Sequence, residues 1–460
     1  MLGTVLQPDL EEMIKNRRWD ELREAVSGLE AADISEIIID LPPEDEAIIF
    51  RVLPRQMATR VFSYLPLEHQ EELVGSLSSE SMRAILEQMT PDDRTHLFEE
   101  LPAEVTHRLL ETLPAQELKS ARELLGYPPH SAGRYMTTRY AALRPEMTAA
   151  EALEHVRRTA PGKETLSVLY IVDSARKLVE DIRLSSLVLA DPATRVVDIP
   201  DRPLVSIQAT ADREEVVREF EKYDRFVLPV VDGDGHMLGI ITADDVLDVA
   251  TAEATEDIQK IGGMQTLEAP YLQASVWQMI HKRGVWLTVL FLGEMLTTSA
   301  ISYFEHHLAK AVVLAMFIPL IISSGGNTGS QAATLIVRSL ALAEVSLGDW
   351  LRVFRKEIAS GLVLGAWLGF IGFARVVLWE NLGLFDYGPH YMLIALTVWI
   401  TLACVVTVGT LAGSMFPILL RRFGLDPATS SAPFVATLVD VTGLVIYFSI
   451  AAFILHGTLL

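Results

Sequence analysis

The sequence predicts a multidomain chain. It reads as an all-α N-terminal superhelical domain, a duplicated α/β domain, a connecting helix and an α-helical membrane domain of five transmembrane helices. Three observations carry this. Leu41, Leu53, Leu65, Leu77, Met89, Leu101 and Leu113 recur every 12 residues. The stretch 169–191 returns at 228–250 with a gapless offset of 59. Beyond residue 283 the chain turns apolar and neutral.

Charge divides the chain at the same place. Residues 1–282 hold 51 Asp and Glu against 29 Lys and Arg, whereas residues 283–460 hold 9 of each. An acidic surface of this kind repels nucleic-acid phosphates and attracts cations. The single cysteine, Cys404, excludes an intrachain disulfide and a structural Cys–zinc site, and fits a reducing cytoplasm. The N-terminal MLGTVLQPDLEEMIKNRRWD lacks the apolar stretch of a signal peptide, so the acidic part is expected to stay where it is made.

In residues 1–130, Pro follows the repeated Leu at 42, 54, 66, 102 and 114. Each period reads as a short helix ended by a proline-bearing turn, and their stack as a superhelix. Such a domain points to regulation or interaction. In residues 131–250, "LYIVDSARKLVEDIRLSSLVLAD" and "LPVVDGDGHMLGIITADDVLDVA" each read as a β-branched strand, a turn opening at Asp173 or Asp232, a second strand and a helix. Residues 251–282 form the connecting helix and the membrane-proximal segment. The run leading into them supplies Asp244, Asp245, Asp248, Glu253, Glu256 and Asp257. These carboxylates repel one another unless cations bridge them; the bland alternative is a solvated acidic face.

In residues 283–460, apolar segments fall near 285–304, 309–324, 358–379, 391–417 and 432–455, the second expected to break at Gly325–Gly326. With the N-terminus inside, the inner loops carry Arg338, Arg352, Arg355 and Lys356, then Arg421 and Arg422. The outer loops carry Lys310 alone, then no Lys or Arg. This obeys the positive-inside rule and places the C-terminus outside. An odd segment count argues against two equal inverted halves.

The last segment holds one acid, Asp440, which would cost several kcal/mol facing lipid. One turn away lie Ala436, Thr437, Gly443 and Leu444, small enough in the main for a helix, water or a hydrated ion to approach. The alternative is an internal anchor bonded to Thr437, Thr442 or Arg375. Ser323–Gln331, "SSGGNTGSQ", reads as a polar break at membrane depth that offers hard oxygen ligands. In a two-fold dimer, paired Asp440 side chains would match a divalent cation. One acid per chain suits a largely hydrated Mg²⁺. No nucleophile–base pair stands out, so an enzyme is not expected.

The repeated half, above all "YDRFVLPVVDGDGHMLGIITADDVLDV", resembles a tandem pair of CBS domains. Such pairs regulate, some by binding adenine nucleotides. The nucleotide signal is mixed: Thr242 to Asp245 keeps the Ser/Thr-x-x-Asp pattern, while Arg183 to Ser186 lacks the ribose-binding Asp. ATP therefore stays open as a cofactor. With "GGNTGSQAATLIVRSLA" and "PFVATLVDVTGLVIYFSIA", nearly the whole chain resembles the MgtE family of magnesium channels and transporters.

The resemblance implies a homodimer in the plasma (inner) membrane with its pore on the two-fold axis. Its partners are membrane lipid and Mg²⁺, both transported and regulatory. It places Asp440 as the central pore ligand and Ala436, Asn327 and Thr334 on the pore wall, beside Gly325 and Gly326. Ser330 falls where some members have Asn. Asp92 of "TPDD" and Asp245 match a metal bridge between the N-terminal domain and the CBS pair. Asp224 and Asp248 match a site at a CBS dimer contact, and Glu253, Glu256 and Asp257 match sites on the connecting helix. Arg60 stands where some relatives carry an acid. The function implied is Mg²⁺ uptake shut off by cytosolic Mg²⁺. Its rivals are a proton-coupled divalent-cation carrier using Asp440 and a non-transporting membrane nucleotide sensor.

Overall fold

The structure is a computed structural model that describes residues 2–39, 41–267, 271, 274–304 and 312–458. The expected outer loop with Lys310, and the start of the second apolar segment at 309–311, lie outside the described residues. The chain forms two compact units, Met1–Thr251 and Ala252–Leu460.

The first unit opens with α1 (Leu2–Lys15), α2 (Trp19–Ser27) and α3 (Ala31–Ile39). Six ten-residue helices follow: α4 (Pro43–Val52), α5 (Arg55–Tyr64), α6 (Leu67–Ser76), α7 (Ser79–Gln88), α8 (Pro91–Glu100) and α9 (Ala103–Thr112). α10 (Ala115–Leu125) closes the series. Two residues link successive helices. Leu53 is extended at φ −66°, ψ 144°, and Pro54 follows at φ −57°. A residue before proline avoids the helical region, and a helix start needs no N–H from its cap. The proline therefore begins the next helix rather than ending the last. Ser78 and Thr90 do the same work by side chain, accepting the Ser81 and Asp93 N–H groups at 3.2 and 3.4 Å. The repeated Leu53, Leu65, Met89, Leu101 and Leu113 are buried at the turns. Every second helix packs together, α3 on α5 and α5 on α7, which gives a two-layered superhelix.

The duplicated domain has β1 (Ala142–Leu143), α11 (Ala149–Thr159), β2 (Val168–Val172), β3 (Leu178–Arg183) and α12 (Leu184–Leu189). Its second copy has β4 (Ile207–Gln208), α13 (Arg213–Tyr223), β5 (Val227–Val231), β6 (Met237–Thr242) and α14 (Ala243–Ile261). Each copy is a three-stranded sheet, one parallel pair and one antiparallel. Leu169 pairs with Ile182, and Leu228 with Ile241. The irregularity at Ile171/Val172 recurs at Val230/Val231. The offset of 59 in sequence is thus an offset of 59 in register.

Among its described residues, the second unit contains five helices long and apolar enough to cross a membrane. They are α15 (Val276–Tyr303), α16 (Ile318–Ala341, entered through the six-residue 3-10 helix Val312–Phe317), α17 (Trp350–Asn381), α18 (Tyr391–Arg422) and α19 (Ala432–Ile454). The expected break at Gly325–Gly326 does not occur: α16 runs unbroken through the glycine-rich stretch. These glycines serve close packing. A Cβ on Gly325 would stand 2.6 Å from Val405 Cγ1 and 2.7 Å from Val439 Cγ1, and one on Gly329 2.9 Å from the Gly409 carbonyl oxygen. A Cβ on Gly413 would collide with the Gly329 carbonyl oxygen. The backbones of α16 and α18 therefore touch, as small residues allow within a bilayer. The backbone of this stretch is helical, so its hard oxygen ligands are those of the side chains.

Gly413→Ala should destabilise the membrane unit by about 1–3 kcal/mol, the usual cost of overpacking. Gly284→Ala, where a Cβ meets nothing within 4 Å, should be neutral or stabilising. Thermal unfolding in detergent measures both.

Candidate ion pathway and acidic cluster

In the membrane unit, the unbroken α16 sets Ser323, Asn327, Gln331 and Thr334 on one accessible face. Asn327 Nδ2 donates to Ser323 Oγ at 3.4 Å, which links the first two residues of the file. Across from it, α19 presents Asp440. A Cβ on Gly326 would lie 3.5 Å from Ala436 Cβ and 3.9 Å from Asp440 Oδ1. Gly326 and Ala436 thus open the space beside the acid, whereas Gly325 faces Val405 and Val439 and serves packing. Ser330 donates its hydroxyl to the Ala432 carbonyl at 3.1 Å and ties α16 to the start of α19. Thr334 donates to the Ser330 carbonyl at 3.0 Å, which leaves its methyl and oxygen lone pairs on the accessible face.

The anchor alternative for Asp440 has no support among the described contacts. Thr437 and Thr442 donate to Pro433 and Leu438 of their own helix, at 3.0 and 2.9 Å. The Arg375 guanidinium sits over the Trp379 ring at 4.3 Å. The partner of Asp440 is Glu294 of α15, which lies within hydrogen-bond reach. Two carboxylates in contact at membrane depth repel unless a cation or a shared proton lies between them. Sequence reasoning missed Glu294. The rule that singled out Asp440, a lone acid in an apolar helix, applies to it equally.

The first unit brings a second set of acids together. Asp92 stands in the first turn of α8 and is buried, and its Oδ1 has no hydrogen-bond partner among the described residues. Asp245, in the first turn of α14, accepts from Thr242 Oγ1 at 2.7 Å. Burial first, and the charge of Asp92 second, push the Asp245 carboxyl well above the usual range. Burial and the neighbouring Asp93 push Asp92 up as well. Glu164, from the loop after α11, is pushed up to about 7 by burial, Asp92, Asp93 and Asp244, against the pull of Arg139. Asp248 is raised by burial and Asp244, while His96 opposes. Arg139 Nη2 donates to the Met89 carbonyl at 2.8 Å and fastens the duplicated domain to the α7–α8 turn. The family resemblance implies the pairing of Asp92 with Asp245; the fold adds Asp93, Glu164 and Asp244.

Asp224 is exposed at the left-handed C-cap of α13, a conformation that Asp tolerates better than most residues. Glu253, Glu256 and Asp257 line the last turns of α14, partly buried. Lys260 Nζ bridges Glu256 at 2.5 Å and Asp426 at 2.6 Å. Burial opposes its charge, but the bonds to Asp426 and Glu256 outweigh that and hold its ammonium above the ordinary lysine range. Glu256 therefore already has a cation from its own helix. Arg60 pairs at the surface with Glu30 at 3.6 Å.

A five-helix membrane unit with acids at its apolar level, joined to a helical superhelix and a CBS-type pair, defines a multi-pass membrane protein of the divalent cation transporter class. The comparisons narrow that class. The chain matches the family "MgtE: Divalent cation transporter" over residues 318–450, the "MgtE intracellular N domain" over 29–130 and the CBS domain over 196–251. It is 42% identical to the magnesium transporter MgtE of Thermus thermophilus over 73% of this chain and 72% of that one. It is 35% identical to the magnesium transporter MgtE of Enterococcus faecalis over 73% and 72% of the two chains. It resembles the crystal structure of the cytosolic domain of the Mg²⁺ channel MgtE in complex with ATP. There the TM-score is 0.51 and the identity 35%, over 53% of this chain and all of that one. The chain belongs to the MgtE family.

The crowded acids set a sign for pH dependence. Their folded-state pKa values lie above the unfolded ones, so the folded unit binds more protons, and stability falls as pH rises through the folded values. In EDTA, the unfolding midpoint of the full chain should drop between about pH 5 and pH 8. Asp245→Asn, which keeps an acceptor for Thr242, should flatten that drop. A parent midpoint that rises over this window would contradict the clustering.

Proposed function

We propose that this chain conducts Mg²⁺ across the membrane along the polar face of α16, with Asp440 as the charged group on the path. The observation that carries this is the closeness of Asp440 to α16, its Oδ1 3.9 Å from where a Cβ on Gly326 would stand, on the same helix that presents the accessible file Ser323, Asn327, Gln331 and Thr334. Mg²⁺ sheds water reluctantly and needs only one or two carboxylates when hydroxyls and amides can bond its hydration shell. This face is open on a single chain. A homodimer with its two-fold axis along the face would close it and bring a second Asp440 to the same path. Relatives named as magnesium transporters support the cargo. The cytoplasmic N-terminus and the external C-terminus rest on the loop charges.

The acidic cluster is the proposed sensor. Its donors are all carboxylate oxygens, and one of them, Asp92 Oδ1, is buried without a partner, so the residues fit a hard divalent cation. Asp92 and Asp245, flanked by Asp93, Glu164 and Asp244, would hold it. A bound Mg²⁺ supplies two positive charges at a point where carboxylates crowd. Without that charge the carboxylates repel and favour separation of α8 from α14; with it they pack. Feedback follows if the packed state goes with a shut pore, since an ion that binds one state better shifts the population toward it. Asp248, with Asp224 at a contact between CBS pairs, is a further proposed cation site of the first unit, and Glu253, Glu256 and Asp257 on α14 are proposed cation ligands of the second. Lys260 would latch the end of α14 to the α18–α19 turn through Asp426. ATP is a proposed ligand of the second CBS copy, supported by the intact Thr242–Asp245 pattern and by the ATP complex of the relative.

In proteoliposomes, Asp440→Ala should abolish Mg²⁺ flux and Asp440→Asn should reduce it; equal flux in all three proteins removes the pathway assignment. Flux that persists without a proton gradient separates a channel from the proton-coupled carrier. In patch recordings, Asp245→Ala with Asp248→Ala should weaken inhibition by cytosolic Mg²⁺, and unchanged inhibition would sink the sensor.

A further inference from the structure

A second group of ligating side chains lies in the superhelix, outside the acidic cluster. Glu46 of α4 and His69 and Glu72 of α6 each bring one ligand atom to within 4.8 Å of the other two. The Glu46 side chain is 1% exposed, and its Oε2 meets His69 Nδ1 at 3.2 Å. Its other oxygen, Oε1, is buried with no hydrogen-bond partner among the described residues. Leaving a buried carboxylate oxygen unsatisfied costs about 1–3 kcal/mol or more, so it calls for a partner. Helices α4 and α6 pack on each other in the skip-one order of the superhelix, which fixes the distance between the donors. Glu72 is exposed and leaves a way in from solvent.

The other group of this kind does not carry the same argument. Asp232, Asp234 and His236 also gather, but Asp232 Oδ1 accepts the Asp234 and His236 N–H groups at 2.9 and 2.8 Å. Asp173 does the same for Ala175 and Lys177, 59 residues earlier. That carboxylate shapes a repeated turn.

We infer that Glu46, His69 and Glu72 form a binding site for a divalent transition-metal ion of the Zn²⁺ type. Two carboxylates balance the charge of one divalent ion when the imidazole is neutral. An imidazole nitrogen beside two oxygens suits Zn²⁺, Co²⁺ or Ni²⁺, whereas Mg²⁺ and Ca²⁺ take oxygen donors. Three protein ligands at a surface leave a position for water, so the ion exchanges. It would staple α4 to α6 and give the N-terminal domain a metal input chemically distinct from the all-carboxylate cluster. The site is independent of the transport reading.

The test is calorimetric titration of Zn²⁺ into the full chain in detergent, with Mg²⁺ in large excess to occupy all-oxygen sites. His69→Gln keeps a hydrogen-bonding group for Glu46 but loses the imidazole; Glu72→Gln alters an exposed position. Both should weaken one Zn²⁺ site by about tenfold or more. Zn²⁺ should raise the thermal midpoint of the parent protein and leave that of His69→Gln unmoved, with metal-free midpoints showing that both are folded. No Zn²⁺ binding by the parent under excess Mg²⁺, or unchanged affinity in either variant, overturns the inference.

Discussion

The membrane unit depends on the contact of two helix backbones. The Gly325 and Gly329 backbone of α16 meets Gly409 and Gly413 of α18 with no side chain between them, and Val405 fills the space that Gly325 leaves. At this distance neither helix can rotate without driving a Cβ into a carbonyl. The contact therefore fixes which face of α16 is buried and which is accessible. The buried face takes the glycines and Ala333, while the accessible face takes Asn327, Gln331 and Thr334. A polar file at membrane depth is costly unless it meets water or protein. The glycines set it where Asp440 gives it a charged neighbour.

In the first unit the ruling force has the opposite sign. Asp92, Glu164, Asp245 and Asp248 are all held above their usual pKa range, and burial is the first cause in each case. Arg139 and His96 offset only part of this. Leucine turns, proline caps and the Arg139 bonds to the α7–α8 turn hold the acids together against their own repulsion. A contact stabilised by packing and opposed by charge is one that a change in cation concentration can tip, because the opposing part is the part a cation removes.

What was legible in the sequence follows from range. The period of 12 and the offset of 59 are local signals, and each appears in the structure as a helix spacing or a strand register. The five spans are a matter of length and apolarity. Gly325–Gly326 was misread because glycine disfavours an isolated helix, while helix-to-helix packing in the bundle needs it. Glu164 could not be joined to Asp92 from sequence, since only the docking of the α11 loop brings it there. Glu294 is legible by the same intramembrane-acid rule as Asp440, but its closeness to Asp440 is not, since the two lie on helices distant in sequence.

One residue carries two proposed roles, and the structure bears on both. Asp245 is the acid of the Ser/Thr-x-x-Asp pattern and also the partner of Asp92 in the crowded cluster. Its Oδ2 accepts from Thr242. A nucleotide ribose drawing on this carboxylate would spread its charge away from Asp92, and a cation beside Asp92 would draw the same charge back. If both proposed ligands bind, they would act on one carboxylate, and by linkage any change that one made in the affinity for the other would be returned by the same factor. The sign depends on whether the Thr242 bond holds the carboxylate in a posture that both can use. Thr242, which donates to Asp245 Oδ2 at 2.7 Å, is the residue through which such coupling between nucleotide and cation would run.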